Sequence, residues 1–477
     1  MGDLKFIEEI LEKKKEKIID VSNKIWEFAE LPYDEYKSYD LLTKVLEDEG
    51  FAIKGNIADI PTSFIASFGK GKPVFGFLGE YDALDKLSQA AGCTQKKPIE
   101  DGKPGHGCGH NALGAGSLGA ALVMKEYLTA NKLDGTVIFF GCPAEEGAGS
   151  KQFMARAGAF DGVDFVYTWH PATMNQVQSV RTVAIMGANF EFRGLASHAG
   201  GSPHLGRSAL DATELMSVGV NYLREHMIDQ ARIHYAYVDA GGVSPNVVQD
   251  RTLIKYEVRS PKVSQLKELF ERVVNVAKGA ALMTDTTVEY EITMAFSDYI
   301  PNAALAEVAD EAFKEVGAPE WDEEDYKLAK EFMLSYNDST IESIKQSVKE
   351  EYGEERLEEI WDKPLDSEVH PYENTVKYVS GSTDVGDVCY AVPTINFNVA
   401  TACIGNVGHT WQMTGQSRSS IASKGLLTAV KVMALSAVKT MNNPEVIEKA
   451  KQIVLKQNGG AYQCPLPESI KPPIGKY

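Results

Sequence analysis

The spacing of apolar residues along the chain predicts helices and strands in alternation. Residues 5–30 carry apolar side chains at helical spacing, and a second helix is expected over residues 38–50. Further along, short apolar runs predict strands at 74–80, 136–142, 165–170 and 394–405, with helices at 111–129 and 149–158. Strands that alternate with helices are typical of parallel βαβ units. We therefore expect an α/β fold with a mixed, largely parallel sheet flanked by helices.

The pattern changes over residues 184–296, where strand, helix, strand, strand, helix and strand follow one another. That βαββαβ order is the one found in ferredoxin-like units. We expect this segment to be a domain inserted into a larger one formed by residues 1–183 and 297–477. The acidic helical stretch 303–363 is typical of a solvated surface and is assigned no chemistry. A final helix is expected at 420–438.

Composition narrows the range of partners. The 477 residues carry a formal net charge of −19, which argues against nucleic acid and anionic membranes as partners. By inspection, no apolar run approaches the roughly 20 residues of a membrane span. The six cysteines are scattered, unlike a disulfide framework. We expect a cytoplasmic protein that acts on a small molecule.

Residues able to bind metal follow the carboxyl ends of the four predicted strands, which meet at one edge of a parallel sheet. They are Glu80 and Asp82, Glu145 and Glu146, His170, and His409, and the stretch GHGCGHN at 105–111 adds His106, Cys108 and His110. A thiolate and an imidazole suit Zn or Mn. The set exceeds the four ligands of a structural zinc, which favours two metal ions, with one glutamate of the adjacent pair free to act as a base.

Two other interpretations compete for this region. GAGSLG at 114–119 matches the G-x-G-x-x-G pattern of dinucleotide-binding proteins, but a loop precedes it instead of a strand. These glycines are better explained by close packing of a helix on the sheet. A thiol hydrolase with Cys108 as nucleophile is the second alternative. It leaves the glutamate pair and the later histidines without a role, so it ranks below the metal site.

The inserted segment has candidate substrate contacts of its own. The loop 195–212 carries His198, which is suited to contact the oxyanion that develops during acyl transfer. Arg207 in the same loop and Arg259 at a strand end suit the capture of a substrate carboxylate. The alternative for Arg207 is a helical ion pair with Asp211. Asn246 lies in a similar turn between two strands.

Several motifs together resemble a known family. They are GEYDALDKLSQ, GHGCGHNALGAG, GCPAEEG, TWHPAT, SHAGGSPHLGRSALDATELMSVGVNYLREHM, GGVSPNVVQ and GSTDVGDV…GHTWQ, in register from about residue 20 to the C-terminus. They resemble the aminobenzoyl-glutamate hydrolase B-subunit group, which belongs to the dinuclear metallopeptidase family of aminoacylases and indole-acetyl-amino-acid hydrolases. The resemblance implies a zinc-peptidase-like catalytic domain and a lid or dimerisation domain.

The same resemblance implies two divalent ions, Mn or Zn, and hydrolysis of an amide bond next to a free carboxylate. It implies five metal ligands, namely Cys108, His110, Glu146, His170 and His409. By the same resemblance, Glu145 matches the general base of the relatives, and Asp82 matches an aspartate that orients a metal ligand in them. His198 is similar to the lid histidine that reaches an active site across a dimer.

The resemblance predicts a hydrolase of N-acyl amino acids such as p-aminobenzoyl-glutamate. Asn111 stands where related amidohydrolases commonly have Asp, although the aminobenzoyl-glutamate group shares Asn. Asp85 departs from that group, and Cys403 and Ile404 lie in the segment before His409, which leaves the substrate open. The alternatives are a dipeptidase of the same family and a regulatory subunit that needs a partner chain. The expected partner is a second copy or a related subunit.

Overall fold

The computed structural model describes residues 2–375 and 377–476. Within them, the strands are β1 (Ala52–Gly55), β2 (Phe64–Lys70), β3 (Val74–Gly79), β4 (Gly135–Gly141), β5 (Phe165–Ala172), β6 (Asn175–Val177), β7 (Ala184–Arg193), β8 (Arg232–Asp239), β9 (Arg251–Ser260), β10 (Thr287–Phe296), β11 (Val369–His370) and β12 (Thr394–Ala400). The α-helices are α1 (Asp3–Phe28), α2 (Tyr36–Asp48), α3 (His110–Asn131), α4 (Lys151–Arg156), α5 (Ala209–Leu223), α6 (Val263–Thr284), α7 (Ala303–Val316), α8 (Glu323–Met333), α9 (Asp338–Tyr352), α10 (Leu357–Asp362), α11 (Val385–Ala391), α12 (Trp411–Gln416), α13 (Ser420–Met441) and α14 (Pro444–Asn458).

The larger sheet has the strand order β1-β2-β4-β3-β5-β12-β6-β11. Its four central strands, β4, β3, β5 and β12, are parallel to one another, and they are the four strands predicted from apolar runs. The flanking strands were not predicted. Three of them are only two to four residues long, so they offer almost no periodic signal. The mixed, largely parallel sheet is confirmed.

The segment between β7 and β10 forms a second sheet, ordered β10-β7-β9-β8. Every neighbouring pair in it is antiparallel, and β9 lies between β7 and β8. Helices α5 and α6 share one apolar cluster with these strands. This is the arrangement of a ferredoxin-like βαββαβ unit, so the predicted fold class is confirmed. The division into domains at residues 183 and 297 stays a prediction.

Helix α13 is more apolar than inspection of the sequence suggested. Over Ser420–Met441 it is long and apolar enough to cross a membrane. However, 78% of its most apolar window is buried inside the protein, where it packs with α1 and α3 in the main core. Its apolar surface is therefore buried in the main core. Helix α14 follows it and was not predicted.

Helix α3 approaches the larger sheet closely because its facing residues are glycines. A Cβ atom on Gly114 would lie 2.5 Å from the backbone oxygen of Glu80. A Cβ atom on Gly116 would lie 2.8 Å from the ring of Trp169. The explanation of GAGSLG as a packing motif is therefore confirmed. The close contact also fixes the start of α3, which carries His110, against the edge of the sheet.

We expect Gly114→Ala to lower the free energy of unfolding by about 1–3 kcal/mol, because the added methyl group meets backbone atoms that cannot rotate away. Urea denaturation of the metal-free protein measures this. Gly279→Ala in α6 is the matched control, since its Cβ would meet no atom within 4 Å. The control should gain about 0.5–1 kcal/mol from helix propensity. Equal stability of the Gly114→Ala variant and the parent would contradict the packing argument.

Candidate metal centre

The carboxyl ends of the central strands deliver the candidate ligands to one place. Glu80 and Asp82 follow β3, Glu145 and Glu146 follow β4, and His170 lies within β5. Strand β12 ends at Ala400 and not at residue 405 as predicted, so His409 comes from a loop. His409 has a φ of 58°, a left-handed conformation that is uncommon for residues other than glycine.

The five predicted ligands form two groups that share one residue. Atoms of Cys108, His110 and His170 lie within 4.8 Å of one another, and so do atoms of Cys108, Glu146 and His409. The Cys108 sulfur is 3.5 Å from Nε2 of His170. The backbone at Cys108 is a bend, and His110 begins α3. The fold brings both side chains to one site.

His110 is oriented by Asp82. The Nδ1 atom of His110 is 2.8 Å from one Asp82 carboxylate oxygen, and the other oxygen accepts the Glu146 backbone N–H at 2.8 Å. This leaves Nε2 of His110 facing the cluster. Within the residues that the structure describes, this atom and Oε1 of Glu146 are buried and make no hydrogen bond, and their charged neighbours are Glu80 at 3.3 Å and His409 at 3.4 Å. Burying a polar atom without a hydrogen bond costs free energy unless a ligand pairs with it. An imidazole nitrogen and a carboxylate oxygen next to a thiol are a donor set that fits a divalent metal ion.

The electrostatics of the cluster favour ligation over nucleophilic attack by sulfur. Burial and the charge of Glu146 raise the pKa of Cys108 to about 12, so the thiol is protonated near neutral pH. Burial and the neighbouring His110 lower the pKa of His170, which keeps it in the neutral form that binds metals. A metal ion would displace the thiol proton. The thiol-hydrolase alternative is disfavoured, since its nucleophile would be almost entirely un-ionised.

Glu145 lies beside the ligands. One of its carboxylate oxygens is within 4.8 Å of ligand atoms of Glu80 and His110. Burial and the charges of Glu80 and Glu146 raise its pKa well above the ordinary value. A raised pKa makes a carboxylate a stronger proton acceptor. This is the property expected of a general base, although its role stays a prediction.

A buried ion-pair network behind the cluster was not predicted. The Lys151 ammonium is fully buried, 2.8 Å from Glu80 and 2.6 Å from Asp384. The second Asp384 oxygen accepts the backbone N–H groups of Ser150 and Lys151. Glu80, held in this way, lies 3.3 Å from Nε2 of His110. In the sequence, Lys151 follows the glutamate pair and Asp384 is the first aspartate of GSTDVGDV, but neither position indicates that the two residues are partners.

Glu35 is a second residue that sequence reasoning missed. It is fully buried, and one carboxylate oxygen accepts the backbone N–H groups of Tyr33 and Ala144, at 3.0 and 2.8 Å. Ala144 has a φ of 62°, in the left-handed region. Glu35 therefore stabilises the unusual turn that presents Glu145 and Glu146.

Comparison with known proteins is consistent with this geometry. Residues 76–364 match the family described as "Peptidase family M20/M25/M40". The chain is 40% identical over 475 residues, 98% of both chains, to the B-subunit of p-aminobenzoyl-glutamate hydrolase from Escherichia coli. The chain belongs to peptidase family M20/M25/M40. The predicted family is confirmed, and with it a hydrolytic enzyme of the metal-dependent amidohydrolase type.

Two further relatives show the breadth of the M20/M25/M40 family. The chain is 28% identical over 456 residues to a mouse Xaa-Arg dipeptidase, covering 92% of this chain and 89% of the relative. It also shares the fold of a dinuclear metal-binding peptidase of the M20 family from Bacillus subtilis. The TM-score is 0.58 at 17% identity, over 90% of this chain and 99% of the other. Divalent metal ions are therefore expected of the family.

The candidates in the inserted segment of this M20/M25/M40 chain make no direct polar contact with the cluster among the described residues. Within the described residues, no hydrogen bond or ion pair joins His198, Asn246, Arg207 or Arg259 to the five ligands. His198 is exposed, and its Nδ1 accepts the N–H groups of Gly200 and Gly201. The backbone oxygen of Asn246 accepts the N–H of Ala199, so these two loops are neighbours.

The two arginines already have partners within the chain. Arg207 pairs with Asp285 at 2.7 Å, so the alternative pair with Asp211 is wrong. Ser208 caps α5, because its hydroxyl accepts the Asp211 backbone N–H. Arg259 donates to the Ser380 backbone oxygen at 3.0 Å and to the Ser382 hydroxyl. Substrate binding by either arginine stays a prediction.

The positions that depart from the family lie outside the ligand cluster. Asn111 is buried and donates to the Ser417 backbone oxygen. Asp85 is exposed next to Lys86. Cys403 and Ile404 are buried against the acidic helical segment. His106 is buried with its Nε2 3.0 Å from the Ile25 backbone oxygen, and burial lowers its pKa to about 3, so it is a neutral neighbour of the ligands.

We expect Asp82→Asn to weaken metal binding by about 10–100-fold, because the carboxylate that fixes the His110 ring is lost. Metal titration of the stripped protein measures the affinity. Asp85→Asn is the matched control, since the same change is made three residues later at an exposed side chain. An Asp82→Asn variant with the affinity of the parent would show that His110 needs no such partner.

Proposed function

We propose that this chain is a two-metal amidohydrolase that cleaves N-acyl amino acids, with p-aminobenzoyl-glutamate as the leading candidate substrate. The observation that carries the proposal is Cys108, whose sulfur belongs to both three-residue ligand groups. A shared donor suits a pair of metal ions better than a single one. The full-length similarity to the E. coli hydrolase subunit supports the choice of substrate.

The proposed ligands are Cys108, His110 and His170 for one ion, and Cys108, Glu146 and His409 for the other. Mn and Zn both accept this mixture of thiolate, imidazole and carboxylate. When bound, the ions would polarise the amide carbonyl and make a water molecule easier to deprotonate. Asp82 orients His110, and Lys151 holds Glu80 beside it. We further propose that the enzyme acts in the cytoplasm.

Glu145 carries the proton in this proposal. Its carboxylate oxygen accepts a proton from the attacking water and returns it to the nitrogen of the leaving amino acid. The raised pKa of Glu145 supports both steps, because the group that accepts the proton must also release it. The loop that holds Glu145 is fixed by Glu35, so little motion is needed during the transfer.

A second chain is proposed to complete the site. His198 is exposed and makes no contact with the ligands of its own chain within the described residues. Strand β8 is an unpaired edge of the four-stranded sheet, and large apolar side chains are exposed on it and on the neighbouring helix α5. They are Tyr222, Tyr235, Tyr237 and Val238. Such an edge is suited to pairing with another chain, which would supply His198 to the oxyanion.

The partner is proposed to be a second copy. The E. coli relative is named as a subunit, so a related chain is the alternative. In either arrangement, Asn246, Arg207 and Arg259 are proposed contacts for the substrate carboxylate. The Xaa-Arg dipeptidase among the relatives makes dipeptides the second substrate class to test.

Glu145→Gln should lower kcat by about 10²–10⁴-fold, because the general base is lost. The measurement is turnover of p-aminobenzoyl-glutamate and of a dipeptide panel by the metal-loaded protein, with bound metal determined by mass spectrometry. Metal content should stay at the level of the parent. Near-normal turnover would show that Glu145 is not the base. Activity that survives complete metal removal but not Cys108→Ser would favour the thiol hydrolase instead.

Mixing two inactive variants tests the contribution of the partner. His198→Ala and Glu145→Gln should each be nearly inactive alone. After subunit exchange, a mixed dimer has one site with an intact Glu145 and an intact His198 from the other chain, so activity should return. No recovery, despite mixed dimers shown by native mass spectrometry, would place His198 in the site of its own chain. A parent that is monomeric and inactive alone would favour a related partner chain.

A further inference from the structure

The acidic helical segment, which received no chemistry from its sequence, packs against the loop that carries His409. We call residues 401–410 the His409 loop. Cys403 lies in an apolar cluster with Phe332 and Met333 of α8. Ile404 lies in a separate cluster with Ile344 and Val348 of α9 and with Ile360 of α10. Consecutive residues of the loop are thus held by different helices of the segment.

The contact continues at Gly405. Its φ is 80°, and a Cβ atom there would lie 2.2 Å from a methyl carbon of Ile344. The Ile404 backbone N–H donates to the Pro364 backbone oxygen at 2.8 Å. Helix α9 and the residues after α10 therefore fix both the side chains and the backbone at the start of the loop.

Tyr336, between α8 and α9, fixes the centre of the His409 loop. Its hydroxyl accepts the Val407 backbone N–H at 2.9 Å and donates to Oδ1 of Asn406 at 3.2 Å. Burial raises the pKa of Tyr336 to about 12, so the hydroxyl keeps its proton and can donate. Gln416 donates to the same Asn406 oxygen and accepts the Cys403 backbone N–H. The loop is hydrogen-bonded from two sides.

His409 depends on this support more than the other ligands do. Its side chain is 57% exposed, and its contact with the cluster is Glu146, at 3.4 Å. Its left-handed backbone is not adopted freely by a histidine, so the surrounding loop must hold it. Its backbone N–H donates to the Gly107 oxygen, next to Cys108. The position of the loop thus sets the distance between His409 and Cys108.

We propose that α8–α10 brace the His409 loop and that Tyr336 is a positioning residue for metal binding through His409. The inference rests on the proposed two-metal function. It gives a role to helices α8–α10, which contribute none of the five proposed ligands. It also predicts that the two ligand groups respond differently to a change at Tyr336, because only the Cys108, Glu146 and His409 group includes the braced loop.

Tyr336→Phe keeps the ring and removes only the hydroxyl. The full-length protein, stripped of metal, is titrated with Mn²⁺ and in parallel with Zn²⁺, and bound metal per chain is measured at graded free-metal concentrations. We expect the first equivalent to bind as in the parent. The second equivalent should bind about 10-fold more weakly, at the lower end of the effect of outer partners of metal ligands. Equal affinity of Tyr336→Phe and the parent for both equivalents would overturn the inference.

Tyr326→Phe is the matched control. It makes the same change at another half-buried tyrosine of the segment, and the structure records no hydrogen bond from Tyr326 to the His409 loop among the described residues. Both equivalents should bind this variant as they bind the parent. If Tyr326→Phe weakens the second equivalent as much as Tyr336→Phe does, the effect is general destabilisation and the inference fails.

His409→Ala separates this inference from the proposed function. His409→Ala should weaken binding of the second metal equivalent. Adding Tyr336→Phe to this variant should change that affinity by less than about twofold, because both changes act on the same ligand group. Full additivity, or equal weakening of both equivalents by Tyr336→Phe, overturns the positioning role alone. If His409→Ala leaves both equivalents unchanged, the ligand assignment fails and the inference fails with it.

Discussion

The structure depends on burying several carboxylates at one edge of a sheet. Glu80, Asp82, Glu145 and Glu146 all lie there, and like charges in a buried place raise one another's pKa. Burial alone would raise the pKa of Glu80, but Lys151 and His110 lower it. Asp82 is paired with His110. The remaining negative charge, on Glu145 and Glu146, is what divalent cations would neutralise, so the cluster and its counter-charges form one unit.

The parts of the fold that could be predicted are those with a strong local signal. The central strands β3, β4, β5 and β12 are rich in apolar residues, and strands and helices follow one another clearly in the βαββαβ segment. Glu146 and His170 could be found because they follow or end a predicted strand, and Cys108 and His110 because they stand out in the stretch GHGCGHN. His409 was expected at the end of a strand predicted to reach residue 405, but the strand ends at Ala400 and a loop brings the histidine to the site.

Other parts of the site depend on contacts that the sequence does not show. Lys151 and Asp384 are 233 positions apart, and only the closed sheet brings them together. Glu35 lies between the two predicted N-terminal helices and carries no pattern that marks it, yet it is fully buried and bonded to the turn at Ala144. The acidic helices were expected to be a solvated surface. Their charged faces are exposed, but each of α8 and α9 also has a buried apolar face directed at the His409 loop.

The sharing of one sulfur atom has a consequence for how the enzyme can fail. Because Cys108 belongs to both ligand groups, oxidation or alkylation of that thiol removes a donor from both at once. A chain in the proposed state therefore cannot be half-inactivated at this residue. In the proposed state, the same dependence would make the enzyme sensitive to soft, thiol-seeking metals, which compete for sulfur more strongly than for nitrogen or oxygen.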